Sequence, residues 1–136
     1  MIIIHTDGGA RGNPGPAAAG YTIDRDHEHI TGRGVYLGNS LTNNWAEYEA
    51  LYLALSHCVD LRLIHEPITA LLDSKLVVEQ VMGNWKIKES SLRDQHTKIK
   101  ELLRAYSIRL TCRHIPRAEN KRADAFVNKA LDEHVA

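Results

Sequence analysis

The chain has 136 residues, 43% of them hydrophobic, enough for one ordinary core, and fits a single domain over residues 1–136. Seventeen basic residues balance seventeen acidic ones, which excludes a whole-molecule field able to draw in a polyanion; nucleic-acid binding would need a local basic patch, bound cations or neutral hydrogen bonds. No apolar stretch reaches bilayer-spanning length and the N-terminal run is too short for a signal peptide, so the expectation is a soluble cytoplasmic protein with no membrane partner.

Three strands are predicted first, over residues 2–7, 18–25 and 29–36, the last two close enough to form an antiparallel hairpin near Asp26 and His27. A glycine-rich turn is expected directly after Asp7. Helical spacing of Ala46, Ala50, Leu53, Ala54 and His57 predicts a helix over about 43–58, with Thr42 or Asn43 as its N-cap. A short strand follows over 69–73. Ser74 can cap the next helix, whose apolar stripe of Val77, Val78, Val81 and Met82 is stopped by Gly83. Ser91-Leu92-Arg93-Asp94 has the form of a capping box with Asp in the usual Glu or Gln place, and the helix behind it aligns Leu92, Ile99, Leu102, Leu103 and Tyr106. Residues 108–114 alternate as a strand, and a last helix carries Ala123, Val127, Ala130 and Leu131. Cys58 and Cys112 fall inside a predicted helix and a predicted strand and are read as buried reduced thiols.

The order βββαβααβα implies a mixed sheet covered by helices on both faces. Right-handed crossovers put the first, fourth and fifth strands parallel, with the first strand central. Asp7 and Asp73 then meet at the carboxyl ends of neighbouring strands. Glu47 opens the first helix and Asp124 lies in the first turn of the last. Each acid alone is an ordinary surface group or a helix-dipole partner. Four of them converging would repel unless divalent cations neutralised the cluster, which makes metal-assisted chemistry on phosphate the leading hypothesis. The glycine-rich segment from Asp7 to Pro16 is a poor phosphate loop. It lacks the Gly-Lys-Ser/Thr ending of a P-loop and leads into a strand.

In order, the local signatures become specific. They are Asp-Gly-Gly-Ala-x-Gly-Asn-Pro-Gly-Pro from Asp7, Thr-Asn-Asn-x-Ala-Glu from Thr42, Leu-Asp-Ser-Lys around Asp73, and His-x-Pro-x-x-x-Asn-x-x-Ala-Asp from His114 to Asp124. Together they closely resemble the type 1 ribonuclease H family, from Ile2 to about Leu131. The resemblance implies an α/β fold, ribonuclease H-like, with a five-stranded mixed sheet in order 3-2-1-4-5, strand 2 antiparallel, and helices on both faces. It implies hydrolysis of the RNA strand of an RNA–DNA hybrid with Mg²⁺ or Mn²⁺, leaving 5′-phosphate and 3′-hydroxyl ends. Asp7, Glu47, Asp73 and Asp124 then look like the ligands of two ions, roughly 4 Å apart as two-metal sites usually are. Hard oxygen ligands without cysteine or paired histidine favour Mg²⁺ or Mn²⁺ over Zn²⁺.

His114 matches the family's loop histidine, thought to help proton transfer or product release; imidazole suits that task near neutral pH. Asn13 and Asn43 match positions that contact the RNA strand in relatives, where only RNA offers a 2′-hydroxyl. Thr42 and Asn44 match positions that hold a DNA phosphate. Lys75 stands where many relatives have Gln, a donor without an acceptor, so that role does not transfer unchanged. The basic helix and loop that some members insert after the second helix is missing. Trp85 with Lys86 and Lys88 is either a minimal substitute grip or a lid packed on the core. The expectation is a monomer with no obligate protein partner. Two competing readings are a catalytically silent hybrid-binding module and a related nuclease that also acts on double-stranded RNA.

Overall fold

The structure, a computed structural model, describes residues 1–135. Its elements are β1 (Ile2–Ala10), β2 (Gly15–Arg25), β3 (Glu28–Leu41), α1 (Asn43–Asp60), β4 (Ile68–Leu72), α2 (Lys75–Val81), α3 (Ser90–Ala105), β5 (Leu110–His114), a short 3₁₀ turn (Arg117–Glu119) and α4 (Lys121–Val135). The five strands form one sheet in the order β3-β2-β1-β4-β5. β2 runs antiparallel to both β1 and β3, while β1, β4 and β5 are parallel. The expected element order and sheet topology are both present.

Alternation along β1 sorts its side chains between the two helix layers. Ile2 and Ile4 join Tyr21, Ile23, Leu51, Leu55, Ile68 and Leu72 in the main core under α1, α2 and α3. On the other face, Ala18 packs with Val127, Ala130 and Leu131 of α4. Both cysteines are buried free thiols in the expected places, and burial pushes each up to about 12.

Two expectations about β1 need correction. The strand does not end at Asp7, and no turn begins there. It continues through Gly8 and Gly9 to Ala10, paired with Ala19, Ala18 and Ala17 of β2. The reason is steric. A Cβ on Gly8 would lie 2.3 Å from the Ala46 carbonyl carbon, so that glycine is the place where α1 lies against the sheet. The real turn covers residues 11–14, where Gly12 has φ +87°. Consequently Asp7 is not a frayed strand end; it is 8% exposed in the middle of the central strand.

The helix starts also differ in one case. Thr42 caps α1 through Trp45 N–H (3.2 Å) and Ser74 caps α2 through Val77 N–H (3.3 Å), as expected. The capping box at Ser91 is not made: α3 begins at Ser90 behind Glu89, with no side-chain cap bond. Leu92 and Ile99 bury as expected, but Tyr106 and Met82, assigned to apolar stripes, are exposed. Each stands at the C-cap of its helix, where the chain turns away from the core. No helix of the described residues is long and apolar enough to cross a membrane. Between α2 and α3, residues 82–89 contain no further helix or strand among the described residues, so the basic protrusion is absent.

Candidate active site

Four elements bring the acids together. β1 carries Asp7, α1 carries Glu47 one turn into the helix, Asp73 follows β4, and Asp124 lies in the first turn of α4. Carboxylate oxygens of Asp7, Glu47 and Asp73 lie within 4.8 Å of one another, the first two residues buried and the third half-buried. Asp124 lies outside that group and faces the same cleft from the α4 side. All four line one open cleft of about 370 Å³ together with Asn43 and Arg117.

The electrostatics are those of crowded anions. Burial pushes the Asp7 carboxyl up to about 7; a hydrogen bond with Glu47 opposes this, and the Asp73 and Asp124 charges reinforce it. Burial, with Asp7 and Asp73 alongside, likewise raises Glu47 well above the ordinary carboxylate range. Glu47 Oε1 accepts a hydrogen bond from Gly8 N–H, which aims the carboxylate across the edge of β1 toward Asp7. Among the described residues, no lysine or arginine pairs with Asp7, Glu47 or Asp73; the one ion pair in the cluster is Arg117 to Asp124 at 3.9 Å. Arg11 also lines the cleft but pairs with Asp132, so the concave set of hard oxygens on Asp7, Glu47 and Asp73 is left without a protein cation of its own and fits a divalent metal.

The remaining candidates fall into two groups. Asn13 and Asn43 latch the rim. Asn13 Oδ1 accepts from Asn43 N–H (2.9 Å), and Asn43 Oδ1 accepts from Ala10 N–H (2.7 Å). Each amide oxygen is thus used internally, which leaves the amide nitrogens as the groups able to donate to a ligand. Thr42 is the α1 cap beside them. Asn44 lines a second groove of about 560 Å³, shared with Trp85, Lys86 and Lys88. Trp85 is 45% exposed and so is not a core lid. His114 and Lys75 do not line the cleft. His114 is exposed at the end of β5, opposite Leu72 and hence one residue from Asp73, and Lys75 is exposed at the start of α2.

Two residues gained no role from the sequence. Arg117 lines the cleft from the loop between His114 and Asp124, and its one signal was a cation inside that motif. Asn120 is 1% exposed; its Nδ2 donates to the Thr6 carbonyl at 2.9 Å, and its own carbonyl accepts from Asp124 N–H at 3.1 Å. It therefore ties the start of α4 to β1 next to Asp7. Asn120→Ala is expected to lower stability by about 2 kcal/mol, because a buried carbonyl loses its donor. Activity should fall with it, through Asp124; urea melts and cleavage rates on the same preparation check both.

Fold and site together define an α/β domain of the ribonuclease H-like class. Residues 5–130 match the family described as Reverse transcriptase-like. Ribonuclease HI of Halobacterium salinarum is 39% identical over 132 residues, which cover 97% of this chain and 65% of that protein. A bifunctional protein of Mycobacterium tuberculosis is 37% identical over 96% of this chain but only 35% of its own length. The chain thus spans between about a third and two thirds of the length of these two curated relatives. Among solved structures, LC11-RNase H1 in complex with an RNA/DNA hybrid superposes with a TM-score of 0.95 at 39% identity, covering all of both chains. The chain belongs to the type 1 ribonuclease H family.

Proposed function

We propose that this chain is an endonuclease that hydrolyses the RNA strand of RNA–DNA hybrids in a metal-dependent reaction. The observation that carries this reading is the cluster of Asp7, Glu47 and Asp73 in an open cleft, with no lysine or arginine paired to any of the three among the described residues. Two relatives support the substrate: a protein called ribonuclease HI at 39% identity, and a solved ribonuclease H1 bound to an RNA/DNA hybrid. Asp7, Glu47, Asp73 and Asp124 would hold two Mg²⁺ or Mn²⁺ ions. Bound there, such ions neutralise phosphate charge and make a water acidic enough to attack phosphorus.

The protein's own residues do the rest. Water adds to phosphorus as the 3′ oxygen leaves, giving 5′-phosphate and 3′-hydroxyl ends. His114, exposed beside the Asp73 end of the site, exchanges the proton that this displacement moves. Asn13 and Asn43, whose amide oxygens are engaged within the protein, read through their amide nitrogens the ribose 2′-hydroxyl that DNA lacks. Thr42 and Asn44 donate to a phosphate of the DNA strand at the α1 N-terminus. Lys75 adds a phosphate contact beside Asp73, and Trp85 offers a ring to a sugar or base with Lys86 and Lys88 on neighbouring phosphates. All four carboxylates come from one chain, so a monomer suffices.

The test is gel-resolved cleavage of matched RNA–DNA, RNA–RNA and DNA–DNA duplexes with Mg²⁺, Mn²⁺ and a chelator. Cutting of the hybrid RNA strand is expected with either metal and not with chelator. Binding without cutting under every condition would instead make the chain a silent hybrid-binding module. Equal cutting of RNA–RNA would widen the substrate class.

A further inference from the structure

Residues 83–89 join α2 to α3 and present Trp85, Lys86 and Lys88 without any helix or strand of their own. A loose segment of this kind would lose much of its grip on a ligand to the entropy of ordering. Here it is tied down from inside. Three successive carbonyls accept hydrogen bonds from two side chains: Gln80 Nε2 donates to Lys86 O (3.2 Å), and Arg93 donates through Nε to Ile87 O (3.1 Å) and through Nη2 to Lys88 O (2.9 Å). The entry to the segment is held too, because Asn84 and Trp85 N–H both donate to Glu79 O, at 2.8 and 3.2 Å.

Gln80 is itself fixed. It is 5% exposed, and its Oε1 accepts from the hydroxyl of fully buried Tyr48 at 2.6 Å. Core packing alone does not call for glutamine here. A buried amide costs free energy unless both ends are paired, and this one spends its oxygen on the core and its nitrogen on the connecting segment. With the backbone of the segment anchored, Trp85 stays out of the core and lines the groove that begins at Asn44, the neighbour of cleft residue Asn43.

We propose that Gln80 and Arg93 are positioning residues that hold the Trp85 segment as a preorganised platform for the RNA–DNA hybrid. The proposal rests on the nuclease reading above. The platform takes over the work of the missing protrusion with two side chains reaching from flanking helices.

The test measures KM and kcat for hybrid cleavage, and Kd for a fluorescent RNA–DNA hybrid in chelator. The variants are Gln80→Met, Arg93→Met, Arg93→Lys, Trp85→Ala and the double variant Gln80→Met/Trp85→Ala. Gln80→Met and Arg93→Met should each raise KM and metal-free Kd about tenfold, a typical cost of losing an aromatic stacking contact. Their kcat should stay within about twofold of wild type, because the carboxylates are untouched. Arg93→Lys should recover part of the loss. The double variant should lose less than the product of the two single losses, since Gln80→Met acts in part through the ring that Trp85→Ala has already removed.

Wild-type KM and Kd in Arg93→Met would overturn the proposal, as would losses that simply multiply in the double variant. Arg93 is exposed, so its variant carries the test even if Gln80→Met does not fold. Wild-type protein that neither binds nor cuts the hybrid would defeat the nuclease reading itself. Wild-type protein that cuts, with unaltered KM in Arg93→Met, would defeat only this inference.

Discussion

Asp7→Asn should lose cleavage by about 10³-fold or more while still binding the hybrid. Metal-free, it should also be more stable than the wild type. In the folded chain the Asp7 carboxyl titrates at about 7, against an ordinary 3.8. Between those values the folded state keeps a proton that the unfolded chain has released. Folding therefore takes up a proton, and stability falls as pH rises through that window. Above the window the ionised carboxylate is a full penalty, on the order of 4 kcal/mol. Asparagine removes the charge and keeps the shape.

Melting curves in chelator at a series of pH values test this directly. The variant should melt above the wild type at pH about 8, with the gap closing toward pH about 3, below both values, where Asp7 is mostly protonated in both states. Magnesium should raise the wild-type Tm and leave the variant nearly unmoved, because a ligand stabilises only the state that binds it. Identical melting at the upper pH would show that the buried charge is not strained. Undiminished cleavage would remove Asp7 from the site.

Gly8→Ala should be strongly damaging. The new methyl would sit 2.3 Å from both the carbon and the oxygen of the Ala46 carbonyl and 2.4 Å from Glu47 N. These are backbone atoms of α1, so no rotamer change relieves the clash and the helix has to lift. A loss of about 3 kcal/mol or more is expected. Cleavage should disappear with it, since Gly8 N–H also orients Glu47. Gly9→Ala is the natural control: its added methyl would find Val127 at 3.7 Å and Asn43 at 4.0 Å, ordinary contact distances. Urea midpoints should fall sharply for the first and stay close to wild type for the second. Matching midpoints would mean that α1 does not need its close approach to β1.

The same two residues show what a linear reading can and cannot reach. The apolar alternation of β1 and the acid at its seventh position were visible, and so was the meeting of Asp7 with Asp73 through the parallel β1–β4 pair. The strand's true end was not. Gly-Gly next to arginine, proline and more glycine reads as a turn, and only the position of α1 makes Gly8 a strand residue. Thr42 and Ser74 were legible as caps because their bonds are local. Glu89 in the N-cap place of α3 was not, because Ser91 offered a better local pattern than the chain uses. Arg117, Asn120 and Gln80 escaped for a shared reason. Each acts on a group distant in sequence or on a bare backbone carbonyl, and neither leaves a spacing to find. Trp85 could be read as core or as surface, and its exposure decides for the surface.

Asn120 reaches Thr6 across 114 positions, and Asp124 rides on the helix behind it. The carboxylate cluster therefore cannot close while the polypeptide is still emerging from a ribosome short of α4. A partly made copy would hold Asp7, Glu47 and Asp73 together without the fourth carboxylate.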